Sequence, residues 1–137
     1  MTRPRSSAAT SSAAYKSGFE ERIAQELKAL GVPVEYEVEV IEYEKPAKRH
    51  KYHPDFRLPN GIFIETKGYL IAEDRKKHLL VKAQHPEIDI RFVFGNSRNR
   101  INKGSATTYA DWCIKNGFKF ADKHIPKEWI DEPTNRN

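Results

Sequence analysis

The first apolar pattern in the chain has the period of an amphipathic helix. Four apolar residues recur at steps of three or four positions: Phe19, Ile23, Leu27 and Leu30. Ser17 precedes Glu20 by the spacing of a capping box, and Gly31 stands where the pattern stops. The sequence therefore predicts a first helix that begins at Ser17 and ends at Gly31.

Three stretches downstream of this helix are typical of strands. Residues 34–43 alternate, with three glutamates on what we expect to be a solvated face: Glu35, Glu37 and Glu39. The alternation slips at Val40, which indicates a bulge or a change of strand partner. Residues 52–58 and 61–67 form two further candidate strands, and Pro59-Asn60-Gly61 predicts a hairpin turn between them.

The second half of the chain alternates between helical and strand patterns. Residues 73–85 predict a second helix whose inward face consists of Leu79, Leu80 and Ala83. Residues 88–94 predict a strongly apolar strand, residues 105–117 a third helix capped by Ser105, and a short terminal element contains Trp129. This order of elements predicts an α/β fold in which helices cover both faces of a mixed sheet.

The composition indicates one compact domain with a basic surface. The 137 residues include 24 Lys and Arg against 19 Asp and Glu, and the formal charge of +5 favours polyanionic partners.

A single cysteine, Cys113, excludes an internal disulfide, and its helical spacing predicts a buried structural thiol. The five histidines lack zinc-site spacing, so we expect them at the surface or facing DNA. No apolar run approaches the roughly 18 residues that cross a bilayer, so we expect a cytoplasmic protein without membrane contacts.

Three segments fall outside the regular patterns. Residues 1–16 predict a flexible basic arm, although an unselected disordered terminus has the same composition; its cations are Arg3, Arg5 and Lys16. Residues 44–52 are polar and contain a proline, which fits a bridge between two parts of an assembly and a surface loop equally well. Residues 134–137 form a short tail, which leaves 17–133 as the folded domain.

The candidate chemistry centres on Asp55, Glu65 and Lys67. Glu65 and Lys67 share one face of a strand, Thr66 points into the other layer, and the hairpin returns Asp55 beside them. Converging carboxylates repel each other unless they share a hard divalent cation such as Mg²⁺, for which Mn²⁺ can substitute. The alternative is an ordinary charged hairpin edge. Residues 61–64 are, however, apolar at both odd and even positions, which indicates a strand that is buried on both faces. We therefore expect a metal site here.

A site of this kind suits the hydrolysis of phosphodiesters. Metal ions held by Asp55 and Glu65 would neutralise the nonbridging phosphate oxygens and stabilise the leaving oxygen. Lys67 would hydrogen-bond the attacking water and favour its deprotonated form. The expected reaction is therefore metal-dependent cleavage of a nucleic acid backbone.

This arrangement resembles the PD-(D/E)XK nuclease superfamily, and further blocks resemble one family within it. That family is the phage endonuclease I family of Holliday junction resolvases, and the resemblance covers roughly residues 17–133. The blocks are Ser17-Gly-Phe-Glu20, Pro54-Asp-Phe56, Leu58-Pro-Asn-Gly-Ile-Phe63, Glu65-Thr-Lys-Gly68, Asp74-Arg-Lys-Lys-His-Leu-Leu80, Gln84-His-Pro-Glu87, Lys103-Gly-Ser105 and Phe120-Ala-Asp-Lys123.

The resemblance implies a restriction-endonuclease-like fold in an intertwined, segment-swapped homodimer. It implies that Glu20 is a fourth catalytic residue acting through a metal, whereas the local sequence also allows a purely structural role in a capping box. Each active site would combine Glu20 of one chain with Asp55, Glu65 and Lys67 of the other, and residues 44–52 would form the bridge. The substrate would be four-way junctions and other branched DNA, cut in the cytoplasm of a bacterial host by a phage or prophage enzyme.

Two other functions remain open from the sequence. A sequence-specific or nicking nuclease of the same superfamily would prefer linear duplex DNA, and a noncatalytic protein would bind junctions without cutting them. Eight basic residues are candidates for contacts to DNA phosphates: Arg3, Arg5, Lys16, Lys48, Arg49, Arg75, Lys76 and Lys77. The tail at 134–137 is less basic than the tails such enzymes can carry, which argues against a C-terminal DNA clamp.

Overall fold

The computed structural model describes residues 17–37, 39–45 and 48–134 of the chain. The predicted arm with Arg3, Arg5 and Lys16, and residues 135–137 of the predicted tail, lie outside the described residues. The elements are α1 (Gly18–Ala29), β1 (Glu35–Tyr36), β2 (Ile41–Lys45), β3 (Lys48–Tyr52), β4 (Phe56–Arg57), β5 (Phe63–Lys67), α2 (Ala72–Gln84), β6 (Ile90–Phe94), α3 (Tyr109–Asn116), β7 (Phe120–Asp122) and α4 (Lys127–Asp131).

The main sheet is mixed and has the strand order β1-β4-β5-β6-β7. β1, β4 and β5 pair antiparallel, whereas β5, β6 and β7 run parallel and end at the same edge. Alternate residues of β6, which lies between β5 and β7, face two different cores: Val93 packs with α1 and α4, and Phe92 packs with α3. The predicted α/β architecture, a mixed sheet flanked by helices, is confirmed.

Helix α1 begins as the sequence predicts and buries a shorter stripe than expected. The Ser17 hydroxyl accepts a hydrogen bond of 3.0 Å from the backbone N–H of Glu20, and Gly31 adopts a φ of 72° just after the helix end. Ile23 and Leu27 are buried, but Leu30 is 58% exposed because the helix has ended before it. The stripe that packs on the sheet therefore stops at Leu27.

The long strand predicted over residues 34–43 is wrong, and the predicted change of partner is right. β1 contains only Glu35 and Tyr36, after which Glu37 takes a φ of 52° and redirects the chain. The chain then forms β2, which pairs with β3 in a separate two-stranded sheet from Ile41↔Tyr52 to Lys45↔Lys48. The break lets Tyr36 pack in the main core while Ile41 packs against α2 in another cluster.

Residues 44–52, the predicted bridge, belong for the most part to this hairpin, and Pro46 and Ala47 lie outside the described part. Gln84 of α2 donates to the Glu44 carbonyl and accepts from the Glu44 N–H, both at 2.7 Å. Tyr43 and Tyr52 pack on Val81 of the same helix. In a single chain, this segment therefore lies against α2.

Helix α2 turns a different face inward from the one predicted. Leu79 and Ala83 are exposed and Leu80 is half-buried, whereas His78 and Val81 are fully buried. The main sheet and the β2–β3 hairpin lie on the side of α2 that carries His78. Tertiary packing, and not the ambiguous apolar pattern, therefore determines which face of α2 is buried. The prediction for His78 is therefore wrong: it lies in the core, edge-on to Tyr52 at 5.0 Å and to Phe92 at 4.8 Å.

The C-terminal part contains one strand that the pattern did not indicate. Strand β7 has three residues, too few for a visible alternation. Helix α3 begins at Tyr109 and is capped by Thr108, which forms a reciprocal capping box with Asp111, so the predicted cap at Ser105 is wrong. Cys113 of α3 is fully buried, as predicted.

A buried arginine anchors the end of the described chain to β6. Arg91 is 2% exposed and donates two hydrogen bonds to Glu132, at 2.7 and 2.9 Å, and two to Asp89, at 3.0 and 2.8 Å. Its guanidinium lies 5.3 Å from the ring centre of Trp129 in α4. These contacts hold α4 on the α1 side of the sheet.

Among the described helices, none combines the length and apolar character that a bilayer crossing requires.

Candidate active site

The predicted hairpin brings Asp55 against the end of β5. Gly61, with a φ of 95°, allows the tight turn in which the Leu58 N–H donates to the Ile62 carbonyl at 2.8 Å. Asp55 precedes β4, and its Oδ2 accepts from both the N–H and the hydroxyl of Thr66, each at 2.9 Å. Thr66, expected to point into the other layer, therefore takes part in the site by orienting Asp55.

Helix α1 and the end of β1 supply two more carboxylates. Glu20 is 7% exposed, and its Oε1 accepts a 2.6 Å hydrogen bond from the Tyr36 hydroxyl. One carboxylate oxygen each of Glu20, Glu37 and Asp55 lies within 4.8 Å of the others. Glu37 was expected on a solvated face, but its backbone N–H donates to the Asp55 carbonyl at 3.2 Å and holds it at the site. Glu20 therefore lies beside Asp55 of the same chain, whereas the resemblance implied Glu20 from one chain and Asp55 from the other.

Glu65 and Lys67 lie together on one face of β5, as predicted. Glu65 is 4% exposed, accepts a 2.6 Å hydrogen bond from the Tyr52 hydroxyl, and lies 3.5 Å from the Lys67 ammonium. Asp74 of α2 lies 3.3 Å from the same ammonium and so fixes Lys67 from the other side. Neither Tyr52 nor Asp74 was predicted, since each comes from a different element.

The electrostatics of the site are dominated by the burial of its carboxyl groups and by the repulsion between them. Burial, followed by repulsion from Glu65 and Glu20, raises the pKa of Asp55 to about 9. Burial also raises the pKa of Glu65, although Lys67 and the Tyr52 hydroxyl oppose the shift. Burial disfavours the charge of Lys67, but attraction to Glu65 and Asp74 outweighs it and raises the pKa of the lysine. The site thus disfavours negative charge on Asp55 and Glu65, because both carboxyl groups are buried and Asp55 also lies near Glu65 and Glu20.

The residues predicted to contact DNA occupy different surroundings. Arg49 is exposed and lies 3.3 Å from Glu44, Lys76 is exposed, and the side chain of Lys48 lies outside the described part. Lys77 points toward the site, with its ammonium 5.1 Å from the Tyr52 ring centre. The Arg75 guanidinium donates to the backbone carbonyls of Leu70 and Ile101, so it faces protein.

The sequence of the chain is similar to those of known phage nucleases. Residues 1–137 match the sequence profile of phage endonuclease I, and the chain belongs to the phage endonuclease I family. It is 54% identical over 120 residues to endonuclease I of Escherichia phage T7, an alignment that covers 88% of this chain and 80% of that protein. It is 51% identical over 124 residues to endodeoxyribonuclease 1 of Enterobacteria phage T3, with 90% and 82% covered. The resemblance seen in the sequence is confirmed.

Proposed function

We propose that this protein is a structure-selective deoxyribonuclease that cuts four-way junctions and other branched DNA by metal-dependent phosphodiester hydrolysis. The observation that carries the proposal is the convergence of carboxylates from α1, β1 and the β4–β5 hairpin beside Lys67. The names of the two relatives, an endonuclease and an endodeoxyribonuclease, support DNA as the substrate. Their phage origin supports action inside a bacterial host cell.

The donor atoms of the site suit a hard divalent cation. Carboxylate oxygens of Glu20, Glu37 and Asp55 lie within 4.8 Å of one another, and Glu65 is close enough to raise the pKa of Asp55. Oxygen ligands of this kind favour Mg²⁺, and Mn²⁺ accepts the same ligands. When bound, such an ion would offset negative charge on the scissile phosphate and make a bound water more acidic.

The chain's own residues orient these groups for the reaction. Thr66 fixes the Asp55 carboxylate, while the hydroxyls of Tyr36 and Tyr52 each hold one oxygen of a glutamate. Lys67 lies between Glu65 and Asp74, where its positive charge can stabilise an attacking hydroxide or the phosphate. The lysine thus stays charged and positioned before the substrate arrives.

Cleavage of a labelled four-way junction, compared with a linear duplex of the same sequence, tests the proposal. With Mg²⁺ we expect paired cuts in the junction and little cleavage of the duplex, and with EDTA we expect binding without cleavage. Preferential cutting of the duplex would favour a sequence-specific nuclease instead. Junction binding without cleavage under any metal condition would favour a noncatalytic binding protein.

The chain order of the site supports the further proposal of a segment-swapped homodimer. Glu20 and Glu37 precede the β2–β3 hairpin, whereas Asp55, Glu65 and Lys67 follow it. Opening that hairpin and pairing β2 of one chain with β3 of another would preserve the contacts within the site. Each site would then take Glu20 from one protomer and Asp55 from its partner.

A mixed dimer of one Glu20→Ala chain and one Asp55→Ala chain distinguishes shared sites from sites within one chain. Swapping puts both substitutions in one site and leaves the other intact, so we expect nicked junctions in place of paired products. Purification by two different tags and mass measurement verify the mixed dimer, and both parent homodimers serve as inactive controls. A verified but inactive mixed dimer would contradict the swap.

A further inference from the structure

A basic loop leaves the sheet directly beside β5, the strand that carries Glu65 and Lys67. This loop, residues 95–108, follows β6, and the Gly95 N–H donates to the Lys67 carbonyl at 3.2 Å. Because β5 and β6 are parallel, the loop begins at the same edge of the sheet at which Glu65 and Lys67 end β5. The basic loop therefore lies next to the proposed site of cleavage.

No ion pair within the described part of the chain neutralises the charge of the basic loop. It contains Arg98, Arg100 and Lys103 and no acidic residue. All three side chains are exposed, and within residues 17–37, 39–45 and 48–134 no carboxylate lies within 4.0 Å of their charged nitrogens. Arg22 and Arg49, by contrast, each pair with a glutamate. The loop thus presents three cations to solvent.

Hydrogen bonds hold the basic loop in one conformation. Asp122 of β7 accepts from the N–H of Ser97 at 2.6 Å and from its hydroxyl at 2.8 Å. The Ile101 N–H donates to the Thr107 carbonyl at 2.9 Å. Arg75 of α2 joins the loop to the segment after β5, since it donates to the carbonyls of Leu70 at 2.6 Å and Ile101 at 3.3 Å. A loop ordered in advance loses little entropy on binding.

We propose that the basic loop binds the sugar–phosphate backbone of DNA next to the cleaved phosphate. The proposal rests on the DNA substrate of the proposed function and adds a surface that the catalytic residues do not include. Three exposed cations that no described carboxylate pairs with, next to the carboxylates of the proposed site, complement phosphates on either side of the cut. Arg75 is a positioning residue, which holds the loop beside β5 without contacting DNA itself.

The salt dependence of junction binding tests this role. A triple variant, Arg98→Gln, Arg100→Gln and Lys103→Gln, is titrated with junction in EDTA between about 50 and 200 mM salt. We expect the slope of log affinity against log salt to become shallower by about 2 to 3, because each lost phosphate contact removes close to one released ion. The matched control is Lys28→Gln, Lys115→Gln and Lys119→Gln, which removes the same charge from exposed positions outside the basic loop.

Several outcomes decide the proposal. A folded triple variant whose slope equals that of the wild type would overturn it, and so would equal changes in both triple variants, since net charge alone would then explain the effect. If the triple variant fails to fold by thermal unfolding, the three single substitutions are measured, each expected to reduce the slope by about 1. Binding in EDTA needs no cleavage, so a failed cleavage assay leaves this test intact.

Arg75→Met separates positioning from charge contact. We expect an unchanged salt slope, an affinity several-fold lower, and faster hydrogen exchange at the Ile101 N–H, because the loop loses its link to Leu70. A slope reduced by about 1 would instead place Arg75 on a phosphate and overturn its positioning role.

Discussion

Asp55→Asn is expected to reduce junction cleavage by about 1000-fold or more while junction binding remains within a few-fold of wild type. Asparagine keeps an oxygen that can accept from Thr66, but it removes the negative charge that the proposed cation requires. The cations proposed to bind phosphates lie elsewhere, on the basic loop. Single-turnover cleavage and gel-shift titration measure the two effects, and wild-type cleavage in this variant would contradict the assigned site.

The same variant should be more stable than wild type when divalent cations are absent. The pKa of Asp55 is about 9 in the folded protein, above its ordinary value of 3.8. Because the unfolded chain gives up this proton more readily, the wild type loses stability as pH rises between these two values. Asparagine does not titrate, and the stability difference should therefore grow between about pH 5 and pH 8. Urea unfolding in EDTA measures it, with Asp131→Asn as the exposed control; a difference independent of pH would refute the explanation.

Arg91→Ala is expected to lower the free energy of unfolding by about 3 kcal/mol, since it removes four charge-assisted hydrogen bonds from a buried site. It also removes the guanidinium from the Trp129 ring. Lys127→Ala is the control, because its ion pair with Asp131 is exposed and should contribute less than about 0.5 kcal/mol. Urea denaturation measures the free energy of unfolding of both variants. Equal losses in the two variants would contradict the larger contribution expected of the buried Arg91.

The predictable part of the site rested on short-range geometry. Glu65 and Lys67 are two residues apart on one strand, and a turn at Gly61 returns Asp55 to them, so strand periodicity and turn chemistry were enough. The same holds for the start of α1, where the cap at Ser17 is a local contact. These features depend on residues that are close in sequence.

The remaining contacts depend on elements that meet only in the folded protein. Glu37 alternates in step with Glu35 and Glu39, so the sequence pattern places it on the same face as those two residues. Its positive φ turns it inward instead, because β1 and β2 pack in separate hydrophobic clusters. Tyr36 and Tyr52 find their partners 16 and 13 residues away, respectively. The burial of His78 likewise follows from which side of α2 meets the sheet. A periodic pattern contains no information about these partners.

The strand order β1-β4-β5-β6-β7 means that β5 gains its parallel partner only after residues 90–94 have been synthesised on the ribosome. β5 carries Glu65 and Lys67 but lies between β4 and β6, and β6 is synthesised after α2. A nascent chain that ends before residue 94 lacks the parallel partner that buries this strand, and its carboxylates repel one another without a fixed frame. We therefore expect chains that end before residue 94 to lack the fixed arrangement of carboxylates that the proposed reaction needs.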